Sequence, residues 1–219
     1  MARVVIFGIG QIAEIAHFYL THDSEHEIVA FTVDKEFLHI DHFHNLPVVA
    51  YEDLLLKYPP NEYNLFIPIS YKKVNKLRAE KFIDAKSKGY TCISYISSKA
   101  TYYGTPVGEN CFIFENNVIQ PFTKIGNNCI IWSGNHIGHH STVEDHCFLA
   151  SQVVVSGNVI IGEYSFLGVN STIANNVKVG KSNIIGSNAV IFKNTEDFSV
   201  YAPSETEKSK VPSNRLRGF

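Results

Sequence analysis

The sequence predicts an α/β domain over residues 1–100, a triangular parallel β-helix over residues 101–195 and a tail over residues 196–219. Two patterns predict the two domains. Branched apolar residues recur every six positions in the second half of the chain, and short apolar strands alternate with amphipathic helices in the first half. After Ile191 the six-residue pattern stops, and the end of the chain has no periodicity.

The six-residue repeat is the strongest pattern in the chain. Fifteen consecutive positions spaced by six are all Ile, Val or Leu. These three residue types make up roughly a fifth of an average protein, so chance does not produce such a run. Each coil of a triangular β-helix uses three hexads and buries its apolar face only against neighbouring coils, so fifteen hexads predict five coils. The positions are Val107, Ile113, Ile119, Ile125, Ile131, Ile137, Val143, Leu149, Val155, Ile161, Leu167, Ile173, Val179, Ile185 and Ile191.

The fourth residue after each branched position is usually small, which predicts a second inward position with little room. Cys111, Cys129 and Cys147 all occupy this position and are eighteen residues apart. Because three hexads make one coil, their thiols should stack in an interior column at the parallel-strand spacing of about 4.8 Å. We interpret them as small buried side chains rather than redox groups. Four cysteines without a short-loop framework also fit a reducing compartment better than a disulfide scaffold.

Composition and charge argue against several classes of partner. The 219 residues are 45% hydrophobic and 18% charged, as is ordinary for a soluble globular protein. A formal net charge of −2 provides no basic field for nucleic acid and no polybasic segment for a membrane surface. The first residues lack the features of a signal peptide, and no later run approaches the roughly 18 apolar residues of a spanning helix. We therefore expect small-molecule partners and a cytoplasmic location.

The first hundred residues contain a β-Gly-α-β unit followed by further strand and helix patterns. Together these segments predict a small α/β layer with a parallel sheet. The lysine-rich helix is expected to end at Gly89. The predicted segments are the strands 3–8, 26–34, 64–70 and 91–97 and the helices 8–22 and 72–89.

A phosphate-binding pattern follows the first predicted strand. Gly8, Gly10 and Ala13 form G-x-G-x-x-A at a helix start, where backbone N–H groups and the helix dipole can receive a phosphate. Asp34 ends the second strand, near the spacing expected for a ribose-binding carboxylate. We expect a Rossmann-like domain that binds a phosphate or nucleotide. The alternatives are a structural tight turn and a redox cofactor, although about a hundred residues supply only half of a dinucleotide fold.

A second candidate binding segment follows the apolar run 64–70. Ser70 can donate to or accept from a ligand, and Lys72 or Lys73 adds positive charge. The alternative is that these lysines lie on a solvated helix face.

Four histidines lie within one short stretch of the predicted β-helix. His139 and His140 lie close to a turn, whereas His136 ends the previous hexad and His146 occupies a turn position that is rich in Asn. Because zinc would need three ligands to converge from different hexad positions, or a neighbouring subunit to contribute, we expect no metal. A general base needs only one imidazole with a pKa near neutral, which His139 or His140 alone supplies.

The repeat places a glycine beside His139. Gly157 is eighteen residues further on, so one coil brings its backbone N–H next to the imidazole. No Cβ obstructs a glycine N–H, which suits an amide directed at a thioester carbonyl. The same row continues through Asn175 to Lys193, and an elongated pantetheine chain would fit along it. The phosphates of that ligand would lie near Lys193 or the nearby lysines, Lys178 and Lys181.

The chain resembles the bacterial sugar acyltransferases of the NeuD and PglD type. The resemblance is carried by VIFGIGQIAE, IGHHSTVED, VVSGNVIIGEYSFLGVNSTI and AVIFKN, and it covers about residues 3–203. It implies a left-handed β-helix that binds acetyl-CoA, an N-terminal domain that holds a nucleotide-linked amino sugar, and a homotrimer with active sites between subunits. It also implies that His139 is the base, that the Gly157 N–H meets the thioester carbonyl, and that the turn from Gly8 to Gln11 binds the nucleotide.

Two departures from the family pattern are visible. The residue after the base is often acidic in the family but is His140 here, so a carboxylate that raises basicity must come from elsewhere, such as Glu144 or Asp145. The tail reads YAPSET instead of the usual G-x-P-A-K, which leaves the site for the adenine end of CoA unassigned.

The combined prediction is an acetyl-CoA-dependent N-acetyltransferase that acts on a nucleotide-linked amino sugar for a surface glycan. The alternatives are a sugar O-acetyltransferase, a zinc-dependent hydratase of the carbonic-anhydrase type and a non-catalytic trimeric binding module. The predicted catalytic residues are His139, Gly157 and Glu144. The predicted substrate-binding residues are Gly8, Gly10, Gln11, Asp34, Ser70, Lys72 and His140. The predicted acetyl-CoA-binding residues are Gly157, Ala174, Asn175 and Lys193.

Overall fold

A five-stranded sheet forms the N-terminal half in the computed structural model, which describes residues 1–215. Its strands are β1 (Arg3–Phe7), β2 (Glu27–Val33), β3 (His42–Phe43), β4 (Leu46–Ala50) and β5 (Asn64–Phe66). Their order across the sheet is β3-β4-β2-β1-β5, and all neighbours are parallel except the β3–β4 hairpin. The carboxyl ends of β1, β2 and β5 therefore meet at one edge of the sheet.

Helices flank this sheet on both faces. The helices are α1 (Gln11–His22), α2 (Leu54–Lys57) and α3 (Lys76–Ser87), with 3-10 turns at Lys35–Phe37, Tyr51–Asp53 and Ser213–Arg215. α1 buries Ala13, Ala16 and Leu20 in one apolar cluster, and α3 buries Phe82 and Ala85 in another. None of the helices within residues 1–215 has the length and apolar character needed to cross a membrane.

The start of α3 differs from the sequence prediction. The helix was expected from Lys72 but begins at Lys76. The three residues before it, Lys73, Val74 and Asn75, all adopt left-handed backbone angles, with φ of 54°, 52° and 63°. A right-handed helix cannot include such angles, so it starts after them. The other end agrees better with the prediction, since Gly89 has φ of +88° just beyond the last helical residue.

Residues 95–201 form three parallel sheets of two-residue strands. Strands eighteen residues apart pair directly, as Ile130 does with Phe148. The seven-stranded sheet contains β6 (Tyr95–Ile96), β8 (Phe112–Ile113), β11 (Ile130–Ile131), β14 (Phe148–Leu149), β17 (Phe166–Leu167), β20 (Ile184–Ile185) and β22 (Val200–Tyr201). The six-stranded sheet contains β7 (Thr101–Tyr102), β9 (Val118–Ile119), β12 (His136–Ile137), β15 (Val154–Val155), β18 (Thr172–Ile173) and β21 (Val190–Ile191). The four-stranded sheet contains β10 (Lys124–Ile125), β13 (Thr142–Val143), β16 (Ile160–Ile161) and β19 (Lys178–Val179).

The interior of this β-helix follows the predicted hexads. Fourteen of the fifteen branched residues are buried, and Val107 at the open end is partly buried. The residue three positions after each branched one is left-handed in every hexad from Asn110 to Asn188, with φ between 53° and 78°. Asn and Gly tolerate these angles best, which explains why they dominate the position. His140 and His146 occupy the same left-handed position.

The predicted cysteine column is present. Cys111, Cys129 and Cys147 are fully buried free thiols. Each thiol donates to a backbone carbonyl fifteen residues further along, as Cys111 Sγ does to Gly126 O at 3.0 Å. Burial raises the pKa of the Cys111 and Cys129 thiols well above its ordinary value, so they remain neutral packing groups.

The N-terminal domain covers the seven-stranded sheet. The outward residues Phe112, Phe148 and Phe166 of that sheet belong to the apolar cluster that contains α1. On the adjacent prism edge the fully buried Arg78 of α3 donates to the backbone carbonyls of Asn128, His146 and Cys147. Burial lowers the pKa of Arg78 to about 10, so the group stays charged at neutral pH and is stabilised by carbonyl dipoles.

The chain joins the two domains within the predicted strand 91–97. Cys92 bridges to Leu65 of the N-terminal sheet, whereas Tyr95 and Ile96 begin the seven-stranded sheet of the β-helix. At the other end, Val200 and Tyr201 pair with Ile184 and Ile185, although they lie in the predicted tail. The strands of the β-helix therefore extend beyond residues 101–195 on both sides. The last part of the tail, 216–219, lies outside the described residues.

Candidate active site

His139 lies on the prism edge formed by the turns that link the six-stranded sheet to the four-stranded sheet. We call this edge, made of residues 120–123, 138–141, 156–159, 174–177 and 192–195, the histidine edge. His139 and His140 are exposed there. In a triangular prism the histidine edge is opposite the seven-stranded sheet, which the N-terminal domain covers.

The imidazole of His139 lies across Gly157. The strand pairs on either side set this register, because His136 pairs with Val154 and Ile137 pairs with Val155. A Cβ atom on Gly157 would be 2.8 Å from both Cε1 and Nε2 of His139 and 3.3 Å from its Nδ1. The glycine thus leaves the space that the ring fills, and the Nε2 side of the ring is the side nearest to residue 157.

The backbone N–H of Gly157 already has an acceptor. It donates to Oδ1 of Asn175 at 2.8 Å, one coil further along the same row. Similar side-chain bonds across one coil occur elsewhere in the β-helix, for example from Glu109 N to Asn127 Oδ1 at 2.9 Å. The Gly157 N–H, which the sequence predicted to be unobstructed, therefore has no Cβ beside it but already donates a hydrogen bond to Asn175.

His139 and His140 share a hydrogen bond through their Nδ1 atoms, which are 3.1 Å apart. One Nδ1 must carry the proton and the other must accept it. If His139 is the donor, its Nε2 keeps a free lone pair and can act as a base. The ring of Phe122 lies 4.7 Å from that of His140 and so supports the acceptor ring.

Two residues of the histidine edge were not predicted from the sequence. Gln120 accepts a hydrogen bond from the backbone N–H of His139 at its Oε1, 2.9 Å away, and Phe122 packs on His140. Phe122 is eighteen residues before His140, and Gln120 is eighteen before Gly138. The step of eighteen that located Gly157 from His139 could have located Phe122 from His140, whereas Gln120 lies nineteen residues before His139.

Glu144, predicted to support the base, lies on a different prism edge from His139 of the same chain. The chain crosses the four-stranded face of the prism at β13, so Glu144 and Asp145 lie on the next edge, between the four-stranded and seven-stranded sheets. Glu144 Oε2 accepts from the backbone N–H of Glu163 at 3.1 Å. Asp145 Oδ1 accepts from the backbone N–H of Asn127 at 2.7 Å. Both carboxylates cap turns of neighbouring coils.

The other two histidines lie apart from His139. His136 projects from the six-stranded sheet, whereas His146 is buried at the domain junction. The Nδ1 of His146 accepts from the Nδ2 of Asn128 at 2.9 Å, so the proton of the neutral ring lies on Nε2. Burial lowers the pKa of His146. Within residues 1–215, no three or more His, Cys, Asp or Glu side chains are arranged to hold a metal ion.

The glycine turn at the start of α1 forms the candidate phosphate site. Gly8 has φ of +111°, which only glycine adopts readily, and its N–H donates to Thr32 O at 2.7 Å. Gly10 precedes the first helical residue, Gln11, and a Cβ on Gly10 would meet no atom within 4 Å. The space beside Gly10 is therefore open at the start of α1, and first-turn N–H groups of a helix are a typical anion site.

Three other predicted binding residues follow β2 and β5, the two strands that flank β1, at the same sheet edge. Asp34 follows β2 and forms an ion pair with Lys81, with Oδ1 and Nζ 2.5 Å apart. Ser70 follows β5, and its carbonyl accepts from Arg78 at 3.1 Å. Lys72 is exposed two residues later. The structure thus brings the predicted sugar-nucleotide residues together at one edge but keeps them away from His139 of the same chain.

The predicted acetyl-CoA residues all lie on the histidine edge. Ala174 packs partly against the interior, whereas Asn175 and Lys193 are exposed. With Gly138 and Ser156, Ala174 forms a row of small side chains along the coils. This row leaves space for an extended ligand beside the column of His139, Gly157 and Asn175.

The six-residue repeat matches a known family. Residues 105–139, 122–157 and 158–193 match the bacterial transferase hexapeptide (six repeats) family. The β-helix is a hexapeptide-repeat domain. A comparison with curated proteins gives no match.

Solved structures resemble the N-terminal domain and the hexapeptide-repeat domain together. Perosamine N-acetyltransferase from Caulobacter crescentus, in complex with CoA and GDP-perosamine, is 22% identical with a TM-score of 0.79, and the match covers 91% of this chain and 93% of that one. The acetyltransferase domain of PglB from Neisseria gonorrhoeae is 17% identical with a TM-score of 0.77, covering 91% and 96%. WeeI from Acinetobacter baumannii is 17% identical with a TM-score of 0.69, covering 91% and 96%. The predicted resemblance to sugar acyltransferases is therefore confirmed at the level of the fold.

Proposed function

We propose that the protein is an N-acetyltransferase that transfers the acetyl group of acetyl-CoA to the amine of a nucleotide-linked amino sugar. The observation that carries this proposal is the exposed imidazole of His139, which lies across Gly157 and is held at Nδ1 by His140. An amine acceptor needs only one base of this kind. The names and bound ligands of the similar structures support the same chemistry.

The tautomer of the histidine pair determines how the reaction proceeds. With the proton of His139 on Nδ1 and directed at His140, the Nε2 atom accepts a proton from the attacking amine. The imidazolium then carries protons on both nitrogens, and its Nδ1–H still donates to His140. His140 thus takes the orienting role that a carboxylate has in many acid–base pairs, but without a negative charge.

The separation of the two predicted binding regions supports assembly as a trimer. The glycine turn, Asp34 and Ser70 lie on the N-terminal domain, which covers the seven-stranded sheet, whereas His139 lies on the opposite edge. A sugar amine held by one copy would reach the His139 of a neighbouring copy. The proposal includes a left-handed coil and a Rossmann-like sugar-nucleotide domain, and the strand order β4-β2-β1-β5 supports the second of these.

The histidine edge supplies a path for acetyl-CoA. Ala174 and the other small residues would form the floor beside the pantetheine chain, with the thioester near Gly157. Lys193 is exposed further along the edge and would lie near the phosphates. The product would enter the synthesis of a surface glycan.

A thiol-release assay tests the proposal directly. The protein is incubated with acetyl-CoA and a panel of nucleotide-linked sugars that carry either an amine or a hydroxyl at the same carbon. The expected result is thiol release only with the amine and a product mass increased by one acetyl group. Acetylation of the hydroxyl sugar would indicate an O-acetyltransferase, and no release with any sugar would contradict acyl transfer.

A further inference from the structure

We infer that Asn175 is the principal oxyanion donor of the site: its carboxamide NH2 group, rather than the Gly157 N–H, donates to the thioester carbonyl oxygen. This inference rests on the proposed acyl transfer. It assigns to Asn175 a catalytic contact in place of a general role in holding acetyl-CoA.

The hydrogen bond with Gly157 fixes the orientation of the Asn175 carboxamide. A backbone N–H can only donate, so the atom 2.8 Å from it must be the oxygen of the carboxamide, Oδ1. The NH2 group is then the other branch of the same planar group. Asn175 is exposed, and its Nδ2 has no hydrogen-bond partner among the residues that the structure describes. Two N–H donors are therefore held in place and open to a ligand.

The position of Asn175 suits this role because Asn175 and the base, His139, both contact Gly157. The His139 ring occupies the side of Gly157 where a Cβ atom would lie. The N–H of Gly157 contacts the Asn175 oxygen. The Nε2 of His139 is among the ring atoms nearest to Gly157. The base and the amide donors therefore both adjoin Gly157, near which the thioester is proposed to lie.

The Gly157 N–H is less suited to the task. It has one proton, and that proton already bonds to Asn175 Oδ1. To serve a carbonyl it would have to give up its bond to this oxygen. The Nδ2 of Asn175 can donate without breaking any bond to residues 1–215. Donors that need no rearrangement are the ones that stabilise developing charge best.

In the acetyl transfer that His139 and Asn175 support, all atoms and charges balance. The lone pair of the sugar amine forms a C–N bond with the thioester carbonyl carbon, and the π electrons of the carbonyl move onto its oxygen. The NH2 group of Asn175 donates to this oxyanion while Nε2 of His139 takes a proton from the nitrogen. The oxyanion then reforms the C=O bond, the C–S bond breaks, and the CoA sulfur leaves with the proton from His139.

Two substitutions at one position separate this role from a structural one. Asn175→Asp keeps an oxygen that can accept from the Gly157 N–H but removes the NH2 donors. Asn175→Ala removes the donors without adding charge and frees the Gly157 N–H. We expect kcat for sugar acetylation to fall by about 10²-fold to 10³-fold in both variants. Asn127→Ala is the matched control, since Asn127 caps Glu109 in the same way on another edge, and it should retain kcat.

Each other outcome overturns the inference in a recognisable way. If Asn175→Ala retains kcat, the freed Gly157 N–H is the sufficient donor. If Asn175→Asp retains kcat, the oxygen alone matters and Asn175 is only a cap. If only Asn175→Asp loses activity, the added charge is the cause. An absence of acetylation by the unmodified protein would instead contradict the proposed function.

Discussion

Gly157→Ala introduces one methyl group at the point where the repeat brings the base against the backbone. Gly157 does not have a positive φ, so the backbone accepts alanine without strain. The new Cβ would lie 2.8 Å from Nε2 and Cε1 of His139. Because the ring is an exposed side-chain end, it can move and the fold can remain intact.

The expected loss of activity follows from the size of that movement. Ordinary van der Waals contact begins near 3.4 Å, so the ring must retreat by about 0.6 Å. A misplacement of about 1 Å in an active site costs about 10²-fold in rate. We therefore expect kcat to fall by about 10-fold to 10²-fold, while the free energy of unfolding changes by less than about 1 kcal/mol.

Steady-state acetylation and urea unfolding measure the two quantities. Gly138→Ala is the control on the same edge, because its Cβ would lie 2.5 Å from the backbone carbon of Ser156, which cannot move aside. That variant should lose stability, whereas Gly157→Ala should lose only activity. A double variant with His139→Ala should be no slower than His139→Ala alone, since the methyl group acts through the ring. Unchanged kcat in Gly157→Ala, or additive losses in the double variant, would show that the methyl group does not act by displacing the His139 ring.

Three further substitutions test the surroundings of the site. His140→Asp gives the Nδ1–H of the base a charged acceptor, so the acid limb of the kcat/KM profile should move to higher pH; an unmoved limb would show that the two side chains are not coupled. Burial lowers the pKa of His146 below 6.5, so just below that pH the unfolded chain binds a proton that the folded chain does not. Stability is therefore lost as the pH falls through about 6.5 towards the lower pKa of His146 in the folded protein. His146→Asn keeps the left-handed turn and should reduce this loss, measured as the difference in the free energy of urea unfolding between pH 7.5 and pH 5.5. An equal loss in the variant would assign the titration to other groups, such as His17 or His26, whose pKa values are also lowered. Arg78→Met leaves several buried carbonyls without donors and should destabilise the fold by about 3 kcal/mol or more, and a change under about 1 kcal/mol would show that water replaces the guanidinium.

The sequence predicted the β-helix and the meeting of His139 with Gly157 because both depend on one rigid spacing. Each hexad buries one branched residue and turns through a left-handed one, so eighteen residues always return the chain to the same side of the prism. Strands β1, β2 and β5 and helices α1 and α3 were also accessible, since a buried strand and an amphipathic helix have different periods. The strands β3 and β4 were not predicted, and the predicted strand 91–97 leads into the β-helix instead of the N-terminal sheet.

The directions of side chains and the contacts between distant residues could not be predicted from the repeat. The repeat places Asn175 in the row of Gly157, but it does not show that the carboxamide turns back to bind the Gly157 N–H. Arg78 lies in a lysine-rich helix that looks solvated, yet it reaches carbonyls 50 to 69 residues away. Glu144 is close to His139 in sequence, but strand β13 lies between them and places the two residues on different edges.

The role of His139 as the general base is tested by the turnover of His139→Asn with acetyl-CoA and an accepted nucleotide-linked amino sugar. We expect acetylation to fall by about 10²-fold to 10⁴-fold, as for loss of a general base, while binding of both substrates persists. Wild-type turnover in this variant would contradict the assignment of the histidine edge as the catalytic site.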